Sequence, residues 1–226
     1  VWNIWKNRNH VVFKGRYLNP RLAKFITNHA LEFFFCASLP KAVRTRVVEL
    51  VKWDRPEIGW MKLNTDGSAL GNPRSVGGGG VIRDWAGRWV AGFSRKIGIA
   101  TSLLAELWAF RDGLMLCVDR NLAMVEVELD AKAKVDMLAN PLYSNNAISP
   151  LLEDCRFLIS KIPHVKIKHC YREANRCADN LARMGANQIL DFILYDDPPG
   201  DLGVLIEADF NGVSTARQCP GTFVVS

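Results

Sequence analysis

Lys62-Leu-Asn-Thr-Asp66-Gly-Ser-Ala-Leu-Gly-Asn-Pro73 decides how the rest of the chain is read. Met61, Leu63 and Thr65 alternate with Trp60, Lys62 and Asn64, a period of two that predicts a strand. The strand is expected to deliver one carboxylate, Asp66, into a turn rich in Gly and Asn. Three further acids fall at the ends of later elements: Glu106 in Ala-Glu-Leu-Trp-Ala, Asp130 in Val-Glu-Leu-Asp, and Asp179 in Cys-Ala-Asp-Asn-Leu-Ala. His169 stands ten positions before the last of them.

Downstream of the strand, Ser75-Val-Gly-Gly-Gly-Gly-Val-Ile-Arg-Asp84 and Trp89-Val-Ala-Gly-Phe-Ser-Arg95 are extended runs joined through Ala86-Gly87, a β-hairpin pattern. Four successive glycines cost backbone entropy, so either another backbone comes close there or the strand bulges. Thr101-Ser102 caps a helix whose Leu103, Leu107, Phe110 and Leu114 make one apolar stripe, with Glu106 in or beside it. Residues 124–129 read as a strand ended by Asp130, residues 132–139 and 145–160 as helices, 165–169 as a strand and 174–186 as a last helix. The order β-ββ-α-β-α-α-β-α predicts an α/β sheet with antiparallel hairpin pairs and parallel crossover pairs.

Upstream, residues 1–50 read as helical, and Trp53-Asp-Arg-Pro-Glu-Ile-Gly-Trp60 as a linker. The 226 residues carry a formal charge of +6, unevenly placed. Residues 1–55 hold eleven Lys/Arg against three Asp/Glu, a net of +8; the remaining 18 basic and 20 acidic residues give −2. A basic leader beside a mildly acidic body suits a polyanion partner, and ordinary solvated helix charge is the alternative. Three parts are therefore expected: a basic helical leader over 1–55, an α/β domain over 56–190, and a loosely structured, Pro/Gly-punctuated tail over 191–226. No apolar run is long enough for a bilayer-spanning helix, so no membrane partner is expected. The six cysteines are scattered without a Cys-x-x-Cys pair, which points to reduced thiols in an intracellular, nuclear or cytoplasmic protein. A chain that starts at Val1 within a helical pattern is expected to be a piece of a longer polypeptide.

Each acid alone has an ordinary explanation: Asp66 a turn residue, Asp130 a helix cap, Glu106 an ion-pair partner, Asp179 an exposed helix position. Together, on neighbouring strand ends and the helices packed there, they would repel unless a cation joined them. Such an oxygen-rich set suits Mg²⁺ or Mn²⁺.

The sequence resembles the type-1 ribonuclease H family through Asn64-Thr-Asp66-Gly-Ser, Gly71-Asn-Pro73, Ala105-Glu106-Leu, Asp130, His169, Asn175 and Asp179-Asn-Leu-Ala, over roughly residues 58–187. Ile4-Trp-Lys-Asn-Arg-Asn9, Gly77-Gly-Gly-Gly-Val-Ile-Arg-Asp84 and His169-Cys-Tyr-Arg-Glu-Ala-Asn175 are similar to its plant reverse-transcriptase-like branch, related to the C-terminal part of non-LTR retroelement polyproteins. The resemblance implies a ribonuclease H-like fold, a five-stranded mixed sheet flanked by helices and preceded here by a helical extension. It implies cleavage of the RNA strand of an RNA–DNA hybrid, with Asp66, Glu106, Asp130 and Asp179 holding two divalent ions. His169 becomes a proton shuttle on a mobile loop; Gly67, Ser68, Asn72 and Asn175 become substrate-binding residues. The rest of a reverse transcriptase polyprotein becomes a partner. Two features depart from the family: Asn140–Pro150 lacks the usual Lys/Trp-rich handle, and Ala131 replaces a polar residue. The competing readings are a non-catalytic nucleic-acid-binding remnant and, more distantly, a resolvase or integrase of the same superfold.

Overall fold

The structure, a computed structural model, describes residues 11–14, 46–70, 75–130 and 149–220. The chain divides into two units, residues 1–47 with 218–226, and residues 48–217. In the first, residues 11–14 are helical, with Val12 and Phe13 exposed, and Cys219 is buried.

The second unit is built on β2 (Met61–Leu70), which runs four residues past Asp66 instead of turning there. β3 (Ser75–Arg83) pairs antiparallel with it, and β4 (Trp89–Gly98) pairs antiparallel with β3. The β3–β4 turn forms through Ala86-Gly87 as the sequence predicts. Gly87 takes φ +84°, and the Asp84 carboxylate accepts from the backbone N–H of Ala86 and of Arg88. Helix α1 (Ser102–Asp119) then crosses to β5 (Met124–Leu129), parallel to β2, and α2 (Ser149–Lys161) leads to β6 (His164–His169), parallel to β5. A 3₁₀ turn (Arg172–Ala174) feeds α3 (Arg176–Asn187). The chain continues as β7 (Phe192–Tyr195), a 3₁₀ turn (Gly200–Leu202), α4 (Gly203–Phe210) and β8 (Thr215–Pro220).

The sheet order is β6-β5-β2-β3-β4-β7, six strands where five are expected. The sixth is β7, from the segment expected to be loose: Phe192 to Tyr195 pair antiparallel with Arg95 to Gly92, and Phe192 stacks on Phe93. A second departure is β1 (Arg46–Val51), a strand inside the stretch read as helical, which forms a two-stranded sheet with β8. The β-branched Val47, Val48 and Val51 favour that extended form.

Both faces of β2 are buried, by different chemistry. Its odd residues meet α1, with Leu63 in an apolar core that includes Ile82, Phe93, Leu107, Phe110, Leu114 and Val127. The Leu103–Leu114 stripe supplies that contact. The glycine run lets helices approach β3 from both sides. A Cβ on Gly79 would sit 2.3 Å from the Ala182 nitrogen of α3, and one on Gly78 3.1 Å from Ala109 Cβ of α1. Close approach thus explains the run, and the β3–β4 register also shifts at its first residue, between Val76 and Gly77.

The even residues of β2 face an ionic layer. Lys62, 1% exposed, meets Glu126 at 2.9 Å and Glu128 at 2.5 Å and donates to the Asp54 carbonyl at 2.7 Å. The Asn64 Oδ1 accepts from Trp53 Nε1 and Arg83, whose guanidinium lies 3.6 Å over the Trp53 ring. Arg83 also pairs with buried Asp209 of α4 at 2.8 Å. Among the described residues no helix is long and apolar enough to cross a membrane.

Candidate active site

Asp66 lies on the polar row of β2, after Lys62 and Asn64, and is 5% exposed. Asn64 is in register with Glu128 of the parallel β5, so Asp66 and Asp130, each two residues further on, emerge side by side. Gly67 brings in the third acid. A Cβ there would lie 2.5 Å from the Glu106 nitrogen and 2.9 Å from Ala105 Cβ, so only glycine lets the first turns of α1 press against β2. Thr101 fixes the start of that helix by accepting from Leu104 N–H at 3.3 Å.

Asp66, Glu106 and Asp130 each place one carboxylate oxygen within 4.8 Å of the others. Two unit charges at that spacing repel by roughly 3 kcal/mol at an effective dielectric of about 20, so the trio favours a cation. Three hard oxygen donors converging from three elements fit Mg²⁺ or Mn²⁺.

Asp179 stands outside that trio. It lies in the first turn of α3, where Arg172 donates to its Oδ1 at 3.0 Å and Arg183 approaches its Oδ2 at 2.9 Å. The side-chain hydrogen bond and charge of Asp179 push the Arg172 guanidinium above its ordinary pKa, with Asp66 and Asp130 adding to the effect. His169 is the last residue of β6, opposite Leu129, on a strand end and not on a loop. Its Nε2 lies 3.2 Å from the Asp130 carbonyl oxygen, and its ring meets Tyr171 edge-on at 5.4 Å. It is exposed beside an acid of the trio.

The residues expected to meet substrate separate. Gly67 and Ser68 sit on β2 directly after Asp66, Ser68 being 8% exposed. Asn72 lies outside the described residues, as do Ala131 and most of the handle region. Asn175 is 1% exposed, and its Nδ2 donates to the Thr65 carbonyl at 3.0 Å. It ties the start of α3 to β2 beside Asp66. Sequence reasoning missed Arg172 and Arg183. The four-residue spacing of Asp179 and Arg183 signals a helical ion pair, whereas Arg172 sits in a string read only as a family mark. Burial pushes the thiols of Cys117, Cys155 and Cys177 up to about 12, so none is a nucleophile near neutral pH.

Comparisons with known proteins agree with this fold. The model of the reverse transcriptase-like family matches residues 64–185. A protein of Arabidopsis thaliana that carries ribonuclease H in its name is 34% identical over 221 residues. That match takes in 96% of this chain and 36% of the plant protein, so the chain spans about a third of its relative's length. RNase H1 of the archaeon Halobacterium salinarum superimposes with a TM-score of 0.52 at 26% identity, over 56% of this chain and 96% of that one. The N-terminal RNase H domain of a Mycobacterium tuberculosis protein gives 0.53 at 25%, over 57% and 94%. LC11-RNase H1, in complex with RNA/DNA hybrid, gives 0.51 at 28%, over 56% and 96%.

Proposed function

The chain belongs to the reverse transcriptase-like family, and from that premise we propose that its ribonuclease H-like domain cleaves the RNA strand of an RNA–DNA hybrid with the help of divalent cations. The carrying observation is the convergence of Asp66, Glu106 and Asp130 within 4.8 Å. Two ions per site, Mg²⁺ or Mn²⁺, would supply water activation and neutralise charge on the leaving oxygen.

The chain's own residues do the rest. Asp66, Glu106 and Asp130 would hold the ions, and Asp179 would add its carboxylate from α3. Water adds at phosphorus, the bond to the leaving sugar oxygen breaks, and that oxygen takes up a proton. His169 Nε2, beside Asp130, holds or moves that proton and helps product depart. The backbone around Gly67 and Ser68, with Asn72, meets the minor groove, where the 2′-hydroxyl separates RNA from DNA. Asn175 acts through position, fixing α3 against β2.

The hybrid seen with LC11-RNase H1 supports this substrate class. A plant relative nearly three times as long supports a parent polyprotein as partner. The buried thiols of Cys117, Cys155, Cys170 and Cys177 support a reducing, nuclear or cytoplasmic setting. One observation favours the second reading, a hybrid-binding module without catalysis: Asp179 is engaged by two arginines and stands apart from the trio. A gel assay separates the two. Labelled hybrid should be cut with Mg²⁺, and spared with EDTA, while single-stranded RNA and duplex DNA stay intact. Tight binding of hybrid with no product in Mg²⁺ or Mn²⁺ would select the binder.

A further inference from the structure

The arginines on Asp179 carry a consequence for how cations enter. The acids divide three and one: a mutually repelling trio, and Asp179, whose oxygens face Arg172 at 3.0 Å and Arg183 at 2.9 Å. The two arginines differ. Arg183 lies one turn along α3, an ordinary helical pair. Arg172 reaches Asp179 from the preceding 3₁₀ turn and sits where the charges of Asp66 and Asp130 are also felt.

Its placement is fixed by the fold. The turn it opens is pinned at its far end by the bond from Asn175 to the Thr65 carbonyl, beside Asp66. Its middle residue, Glu173, takes both oxygens to Arg217, at 2.9 and 2.7 Å. The guanidinium itself is free to swing, because the Arg172 side chain is 67% exposed. With its guanidinium end in solvent and only the Asp179 end largely buried, the pair is open to displacement by a divalent ion.

We propose that Arg172 is a resident counter-cation of the acidic site, holding Asp179 in the free protein so that a second divalent ion gains this carboxylate only by displacing the guanidinium. The two ions therefore load in unequal steps: the first at Asp66, Glu106 and Asp130, the second against Arg172. This rests on the metal-dependent reading above.

The test is calorimetric titration of the full chain with Mn²⁺, without nucleic acid. Wild type should show a tighter and a weaker step. Arg172→Gln should tighten the weaker step roughly two- to fivefold, the range an exposed ion pair allows, and move the tighter step less. Arg172→Lys keeps the positive charge and should behave like wild type, as should the remote Arg156→Gln. Circular dichroism confirms that each variant is folded, and the Mg²⁺-induced rise in melting temperature gives a second readout, larger in Arg172→Gln. Identical titrations of wild type and Arg172→Gln would overturn the counter-cation role and leave the metal site standing. Failure of every folded variant to bind Mn²⁺ would remove the metal reading, and this proposal with it.

Discussion

Replacing Lys62 by Met keeps the side-chain stem and deletes one buried charge. Lys62 is 1% exposed and lies between Glu126 and Glu128, at 2.9 and 2.5 Å, so the substitution takes a counter-charge from two buried carboxylates. Removing one partner of a buried pair costs about 3–5 kcal/mol. Glu126 keeps Lys168 at 2.5 Å and Glu128 keeps the Asn64 amide at 3.0 Å, which puts the loss near the lower end, about 3 kcal/mol. At about 2–4 °C per kcal/mol for a domain of this size, the melting temperature should fall by roughly 6–12 °C. Protonation gives an internal check. Burial alone would raise the Glu126 pKa, but its bonds to Lys168 and Lys62 outweigh that and hold it below its ordinary 4.5. A depressed carboxyl contributes stability above its unfolded pKa and loses it as pH falls through the folded value. In Lys62→Met part of that depression is gone, so the variant's deficit should shrink below about pH 4.5. Urea unfolding followed by circular dichroism at pH 7 and pH 4 measures both quantities. A loss under about 1 kcal/mol at pH 7, or an equal loss at both pH values, would refute the buried-layer account.

Other consequences follow from the same contacts. Gly79→Ala forces a methyl to within 2.3 Å of the α3 backbone and should cost at least 1–3 kcal/mol in thermal unfolding, against less than 1 kcal/mol for Gly200→Ala, where a Cβ meets open space. Asp209→Asn weakens the partner of buried Arg83 and of Arg176, and should destabilise by about 2–4 kcal/mol while exposing residues 192–210 to protease at lower urea than wild type. Deleting residues 1–45 removes eight Lys/Arg and one Glu, and should weaken hybrid binding and flatten its salt dependence, with cleavage at saturation little changed. The cut is set before β1 because Val51 and Trp53 are buried; equal salt slopes for both chains would exclude a nucleic-acid role for the leader.

The sequence was most legible where one residue's chemistry sufficed. Period-two alternation located β2, the Ala86-Gly87 turn located the hairpin, and the ends of parallel strands placed Asp66 and Asp130 together. It was least legible where a distant partner decides. Glu126 and Glu128 alternate with Val125 and Val127 like the wet face of an edge strand, yet register sets Glu126 opposite Lys62 and buries both. β7 is four residues long and owes its extended form to β4, about a hundred positions earlier. Asp179 looks equivalent to the other acids in sequence; the spacing signals Arg183, and only side-chain geometry shows that Arg172 holds it as well.

Under the proposed function Asp66 works chemically, so its charge can be removed with its shape retained. Asp66→Asn should bind hybrid, keep the wild-type circular dichroism spectrum, and lose cleavage of labelled RNA–DNA hybrid in Mg²⁺ to below a few per cent of the wild-type rate, on the order of the 10²–10³-fold or greater loss expected when key transition-state stabilisation is removed. A folded Asp66→Asn protein that cuts at a rate comparable to wild type would contradict the assignment of this site.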